Sequence, residues 1–122
     1  VRAIGKVVSG LKSDRSGKVV WLQASASFLK RYPDLVDKTD DLVGWARSVR
    51  GAQIAILFKE VRPGEVRINF RSRGRANVDR LARLFGGGGH PAASGCTVRL
   101  SLKETVRRVV TAATIAAAAR RS

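Results

Sequence analysis

Residues 86–95 read Gly-Gly-Gly-Gly-His-Pro-Ala-Ala-Ser-Gly, and this stretch constrains the chain more than any other. Glycine has no Cβ and adopts positive φ as readily as negative φ, so four in succession let another group approach the backbone closely. His90, the one histidine of the sequence, follows at once, and Pro91 then restricts the backbone. The stretch is not a P-loop, because no Lys-Ser or Lys-Thr pair follows it, and it is not a dinucleotide-binding fingerprint.

A phosphate site is predicted where the glycines meet the upstream segment Arg71-Ser72-Arg73, which ends a strand-like run. A guanidinium offers two donors in one plane, and the backbone N–H groups of a glycine-rich loop can converge on an anion. His90 is expected to donate to a phosphate or a sugar hydroxyl, and to bind more strongly when protonated. A flexible linker and a structural histidine are the alternative interpretations. The predicted ligand-binding residues are Arg71, Ser72, Arg73, Gly86, Gly87, Gly88, Gly89 and His90.

The hydrophobic patterns predict an α/β fold, a small mixed β-sheet with helices packed on it. Strands are expected over 18–24, 52–61, 66–71 and 96–100, and the second and third form a hairpin through the turn at Pro63 and Gly64. Helices are expected over 25–29, 41–49, 78–85 and from residue 101 onward. Their predicted N-caps are Ser25, Thr39 or Asp40, Asn77 and Ser101.

The charge balance points to an anionic partner. Twenty-four basic residues against nine acidic ones give a formal net charge of +15, and nucleic acid or a nucleotide is the first candidate for such a chain. No membrane partner is expected, because no apolar run reaches the length that spans a bilayer. Cys96 is the only cysteine, so no internal disulfide forms, and we expect a buried thiol and a cytoplasmic protein.

Arg71-Ser72-Arg73, followed by Leu81-Ala82-Arg83-Leu84-Phe85 and the glycine run, resembles the DHHA1 domain of DHH-family phosphoesterases. The likeness covers at least residues 52–120 and is strongest to the NrnA type, which comprises oligoribonucleases and phosphoadenosine-phosphate phosphatases. It implies a C-terminal substrate-binding domain that holds short RNA or a nucleotide against a separate DHH catalytic domain. It also implies Mn or Mg in that catalytic domain, with no cofactor in this chain.

A complete phosphoesterase centre cannot be assembled from these residues. Such a centre needs several carboxylates and imidazoles around two metal ions, and the sequence has one histidine and no Asp-His-His triplet. We therefore expect the chain to be inactive alone, although its parent protein would be a phosphodiesterase or exonuclease. The acidic cluster Asp34, Asp37, Asp40 and Asp41 is expected to be solvated or to cap a helix.

The expected domain organisation has two parts. Residues 1–17 are a linker or the tail of a preceding domain, and residues 18–122 are the DHHA1-like substrate-binding domain, with its core over 52–120. The chain starts with Val, so an excised domain is expected. Two other interpretations stay open: a nucleic-acid-binding module, stand-alone or appended as in a tRNA synthetase, and the equivalent domain of a cyclic-dinucleotide phosphodiesterase. A homodimer is also left open.

Overall fold

The computed structural model describes residues 2–119, with side chains from residue 4 onward, so residues 1 and 120–122 of the predicted domains lie outside the described residues. The elements in chain order are helix α1 (Arg2–Ser9), strands β1 (Lys12–Ser13) and β2 (Val19–Ala24), helix α2 (Ala26–Arg31), a 3-10 helix (Pro33–Lys38), helix α3 (Thr39–Arg47), strands β3 (Ile54–Arg62) and β4 (Glu65–Ser72), helix α4 (Val78–Arg83), strands β5 (Gly88–His90) and β6 (Ala93–Val98), and helix α5 (Leu102–Ala119). The predicted mixed α/β class is confirmed.

One six-stranded sheet organises these elements, in the order β1-β2-β3-β4-β6-β5. Strands β2 and β3 are parallel, which places α2, the 3-10 helix and α3 in the crossover between them, and the other pairs are antiparallel. The predicted hairpin is present as β3 and β4. Helix α1 packs Val7 into the core, and β1 pairs with β2. The predicted domain boundary near residue 17 stays a prediction.

The two sides of the sheet carry separate hydrophobic clusters. On one side, residues such as Ile56, Phe58 and Phe70 pack against α4 and α5. Alanines at 113 and 117 let α5 lie close to the strands. On the other side, α1, α2 and α3 cover β2 and β3, whose inward residues include Leu22 and Leu57. Strand β3 is therefore covered on both sides, and its residues 54–59 are all buried.

The hydrophobic core under the second helical layer ends at β3, although α3 itself also lies close to β4. Beyond it, the same side of β4 and β6 carries polar and small residues, none of which belongs to a hydrophobic cluster of the described chain. We call this surface the open face, and its residues are Arg67, Asn69, Arg71, Ala93, Gly95 and Thr97. Arg67 and Thr97 are exposed and the other four are half-buried.

Helix starts follow the predicted caps in three of four cases. The side chains of Ser25, Asn77 and Ser101 each accept a backbone N–H from their helices. Neither Thr39 nor Asp40 caps α3, because the 3-10 helix runs directly into it and Lys38 occupies the cap position without a side-chain bond. None of the helices within residues 2–119 combines the length and the apolar character needed to cross a membrane.

Candidate functional site

The strand register brings the two ends of the predicted site together. Arg71 on β4 pairs with Ala93 on β6, and Ala93 also pairs with His90 on β5. Two strand spacings of about 4.8 Å separate the backbones of Arg71 and His90 by about 10 Å. Arginine and histidine therefore lie at the same end of the sheet, on neighbouring strands.

The glycine run is a helix exit followed by an edge strand, and its amides are used within the protein. The N–H of Gly86 donates to Arg83 O at 3.2 Å, and that of Gly87 donates to Ala82 O at 3.0 Å. The N–H of Gly89 donates to Asp79 Oδ1 at 2.8 Å. The prediction that bare amides converge on an anion is wrong for these three, because the open carbonyls at the end of α4 and one aspartate already accept them.

Close packing of two backbones explains why the run contains glycine. A Cβ on Gly87 would lie 2.1 Å from Gly95 O, and a Cβ on Gly89 would lie 2.8 Å from Ala93 O. Gly86 has a φ of +83°, a conformation that residues with a Cβ seldom adopt. The glycines thus let β5 lie directly against β6, which fixes the position of His90.

Four hydrogen bonds hold the tip of the β5–β6 hairpin in place. The N–H of Ser72 donates to Ala92 O at 3.0 Å, and the Ser72 hydroxyl donates to Pro91 O at 3.1 Å. Pro91 O also accepts from the N–H of Val78, while the Ser94 hydroxyl donates to Val78 O at 2.6 Å. Ser72 is buried, so its hydroxyl positions the hairpin and is not available to a ligand in the arrangement described.

Arg71 lies where the open face meets the start of α3. Its Nη2 lies 2.6 Å from Asp40 Oδ1, and its Nη1 donates to Phe70 O at 3.1 Å. The side chain of Arg71 is 21% exposed and that of Asp40 is 87% exposed. An ion pair with so exposed a carboxylate contributes about 0–1 kcal/mol, so a stronger anion can displace it at small cost. No local pattern predicts this pair, since 31 positions separate the two residues.

His90 is exposed, and one ring nitrogen is already engaged. Its Nδ1 accepts the N–H of Ala92 at 3.1 Å, which requires the neutral ring with its proton on Nε2. The Nε2–H is then the donor left for a ligand.

Arg73 lies beyond the end of β4 and is not grouped with Arg71. Its backbone N–H donates to Gln53 O at 2.8 Å, and its side chain is exposed. Together with Gln53, Gly74, Arg75 and Ala76 it lines a hollow of about 320 Å³ that Arg71 does not line. Two cations outside the predicted site residues belong to this region. Arg67 lies on the open face, and the buried Lys59 lies directly opposite it on β3.

The described residues do not fit a metal centre. Within residues 2–119 no three His, Cys, Asp or Glu side chains lie close enough together to hold an ion. A two-metal phosphoesterase site needs several carboxylate and imidazole ligands around two ions. We therefore assign no chemical step to a metal ion held by the described residues.

The mixed sheet with helices on both sides and an edge hairpin rich in glycine form an α/β domain. The model of the DHHA1 domain matches residues 36–116, which is more than half of the chain. The chain therefore belongs to the DHHA1 domain family.

Comparison with known proteins finds three to which this chain is similar. The bifunctional oligoribonuclease and PAP phosphatase NrnA of Thermus thermophilus is 30% identical over 112 residues, which is 91% of this chain and 33% of that protein. An exopolyphosphatase-related protein of Bacteroides fragilis superposes with a TM-score of 0.77 at 21% identity, covering 94% of this chain and 33% of the other. The pGpG-specific phosphodiesterase PggH of Vibrio cholerae gives 0.60 at 16% identity, covering 96% and 38%. The two solved structures support the fold alone, and this chain spans about a third of each relative.

Proposed function

We propose that this chain is the substrate-binding domain of a metal-dependent DHH phosphoesterase that hydrolyses short RNA oligonucleotides or phosphorylated nucleotides. Membership of the DHHA1 family and the likeness to an oligoribonuclease and PAP phosphatase support this proposal. The observation that carries it is Arg71, a half-buried guanidinium beside the open face whose anionic partner is a nearly fully exposed carboxylate. Such a cation is held ready for an incoming anion.

In this proposal a phosphate of the substrate replaces Asp40 on Arg71. The guanidinium offers two donors in a plane, and charge-assisted bonds of this kind are among the strongest available to a phosphate. The Nε2–H of His90 donates to a second oxygen or to a sugar hydroxyl. Ala93 and Gly95 form a floor without long side chains, so the ligand can lie against the sheet.

The glycines contribute by position and not by their amides. Gly87 and Gly89 let β5 lie against β6, and Gly86 supplies the positive φ that follows α4, so that His90 lies at the same end of the sheet as Arg71. Arg73 acts at the margin of the site, as an exposed cation that attracts the ligand. Hydrolysis takes place in a separate catalytic domain that holds Mn or Mg, and the role of this chain is to bind and orient the substrate.

Titration calorimetry with a 5′-phosphorylated diadenosine dinucleotide, pApA, tests the proposal. The substitution Arg71→Gln is expected to weaken binding about tenfold or more, since a hydrogen bond to a charged group contributes about 1.5–3 kcal/mol. It should also make the log–log salt slope shallower by about 0.7. Arg15→Gln is the matched control, because Arg15 is exposed in the β1–β2 turn at the opposite edge of the sheet. Equal affinities of Arg71→Gln and wild type would refute the proposal.

A further inference from the structure

Lys59 is a buried cation for which the fold gives little structural reason. Its side chain extends from β3 on the side covered by α3, and the residue is 9% exposed. Its ammonium donates to Thr39 Oγ1 at 2.8 Å. An ammonium carries three donors, and this is the one bond described for it. Thr39 does not depend on that bond, because its hydroxyl already donates to Val36 O.

The surroundings of Lys59 oppose its charge. Burial and, to a smaller extent, the charge of Arg67 lower the pKa of Lys59, and the charge of Asp40 only partly offsets them. Within residues 2–119 no carboxylate lies at ion-pair distance from its ammonium, and Asp40 is paired with Arg71 instead. A buried charge without a close counterion costs stability, so an anion brought by a ligand would relieve this cost.

Strand register places this cation in line with the site already described. Lys59 lies directly opposite Arg67, and Arg67 precedes Arg71 by four residues on the same side of β4. At about 3.4 Å per residue, the two arginine backbones are about 14 Å apart, with Asn69 between them. Thr39, which accepts from the Lys59 ammonium, and Asp40, which pairs with Arg71, are consecutive residues at the start of α3, so Lys59 and Arg71 reach the same region. Cations therefore lie at two places along β4. Arg71 is near its end, and Arg67 is four residues earlier, with Lys59 opposite it on β3.

We propose that Lys59 and Arg67 bind a second phosphate of the substrate, next to the phosphate held by Arg71 and His90. The inference rests on the proposed function and narrows its ligand to a linear nucleotide that carries two phosphate groups. One phosphate lies at the end of β4, and the other lies where Lys59 faces Arg67. Asn69 is placed between them, where its amide can donate to the sugar that connects the two phosphates.

Two probes that differ by a single phosphate provide the test. One is pApA, and the other is the dinucleoside monophosphate ApA, which lacks the 5′-phosphate. The wild-type chain should bind pApA about tenfold or more tightly than ApA, as one additional charge-assisted contact predicts. In Lys59→Met and in Arg67→Gln this preference should fall to about threefold or less, with the affinity for ApA changed by less than about twofold. Arg15→Gln should keep the wild-type preference.

The outcomes separate the two proposals. If Arg71→Gln weakens binding of both probes while Lys59→Met and Arg67→Gln keep the wild-type preference for pApA, the second subsite is refuted and the proposed function stands. Equal weakening of both probes by Lys59→Met and Arg67→Gln also refutes the subsite. If the wild-type chain binds neither probe, or if Arg71→Gln has no effect on either, the proposed function fails and the subsite fails with it.

Thermal unfolding distinguishes a ligand-binding lysine from a structural one. Because the charge of Lys59 is poorly compensated, Lys59→Met should melt at the wild-type temperature or above it while losing the preference for pApA. A lower melting temperature with parallel loss of both probes would mean that Lys59 holds the fold, and would overturn its assignment. If Lys59→Met does not fold, Arg67→Gln still tests the second subsite, because Arg67 is exposed and its replacement leaves the core intact.

Discussion

Replacing Gly87 with alanine should destabilise the fold far more than replacing either of its glycine neighbours. An added Cβ would lie 2.1 Å from Gly95 O, 2.5 Å from Cys96 Cβ and 2.8 Å from Cys96 Cα. Two of these three atoms are backbone atoms of β6, a strand paired on both sides, so neither can move without disturbing the sheet. The clash therefore has to be relieved by separating β5 from β6.

The neighbouring glycines provide a graded comparison. Overpacking costs about 1–3 kcal/mol when side chains can adjust, so a clash with backbone should cost about 3 kcal/mol or more for Gly87→Ala. Gly86→Ala meets no atom within 4 Å but requires a φ of +83°, which costs about 1–2 kcal/mol. Gly88→Ala comes within 3.2 Å of Asp79 Oδ1, the end of a side chain that can shift, and should stay within about 1 kcal/mol of wild type.

Urea unfolding followed by circular dichroism measures this series. The free energy of unfolding should fall in the order wild type, Gly88→Ala, Gly86→Ala, Gly87→Ala, with the first two close together. If Gly87→Ala were within about 1 kcal/mol of wild type, or if Gly88→Ala were the least stable, the glycines would not be required by backbone packing. Other contacts would then have to position His90.

Three further predictions follow from individual contacts. Burial raises the pKa of the Cys96 thiol to about 11. A disulfide reagent at pH 7.5 should therefore modify Cys96 about a hundredfold more slowly than a free cysteine. An equal rate would contradict the burial of this thiol. Hydrogen bonds from Arg107 and then Arg108 lower the pKa of Glu104 from 4.5 to about 2, so the stabilisation they give is complete above pH 4.5 and is lost as the pH falls towards 2. In Glu104→Gln the melting temperature should fall less steeply over that range, and an unchanged slope would contradict this. Asp40→Asn should tighten binding of pApA about two- to fivefold, because the exposed carboxylate no longer competes with the ligand for Arg71. Calorimetry measures this change, and weaker binding would show that Asp40 assists the ligand.

Local sequence signals predicted most of the architecture. The apolar run before Lys59 and the turn at Pro63 and Gly64 are short-range features, and the structure places a buried strand and a hairpin there. Capping by Asn77 also depends on a neighbour three residues away, so it could be predicted without knowledge of the fold. The start of α3 could not be predicted in this way. A 3-10 helix runs into α3 in place of a capping residue, and 3-10 helices have weak sequence signals.

The fold brings only some of the predicted site residues together, and their contacts were not predicted. Arg71 and His90 do come to the same end of the sheet, whereas the amides of the glycines are taken by partners such as Asp79. The ion pair between Arg71 and Asp40 depends on tertiary packing of α3 against β4, which no local pattern encodes. A lysine within a run of buried strand residues is the one sequence signal that could have pointed to Lys59.

An NMR titration of the ¹⁵N-labelled chain with pApA tests directly whether the open face and the adjacent hairpin tip bind the phosphates of a nucleotide. We expect the largest amide shifts at Arg67, Arg71, His90 and Ala93, saturating together, with β1 and α5 unaffected. Saturable shifts confined to other parts of the chain, with these four amides unmoved, would contradict the account.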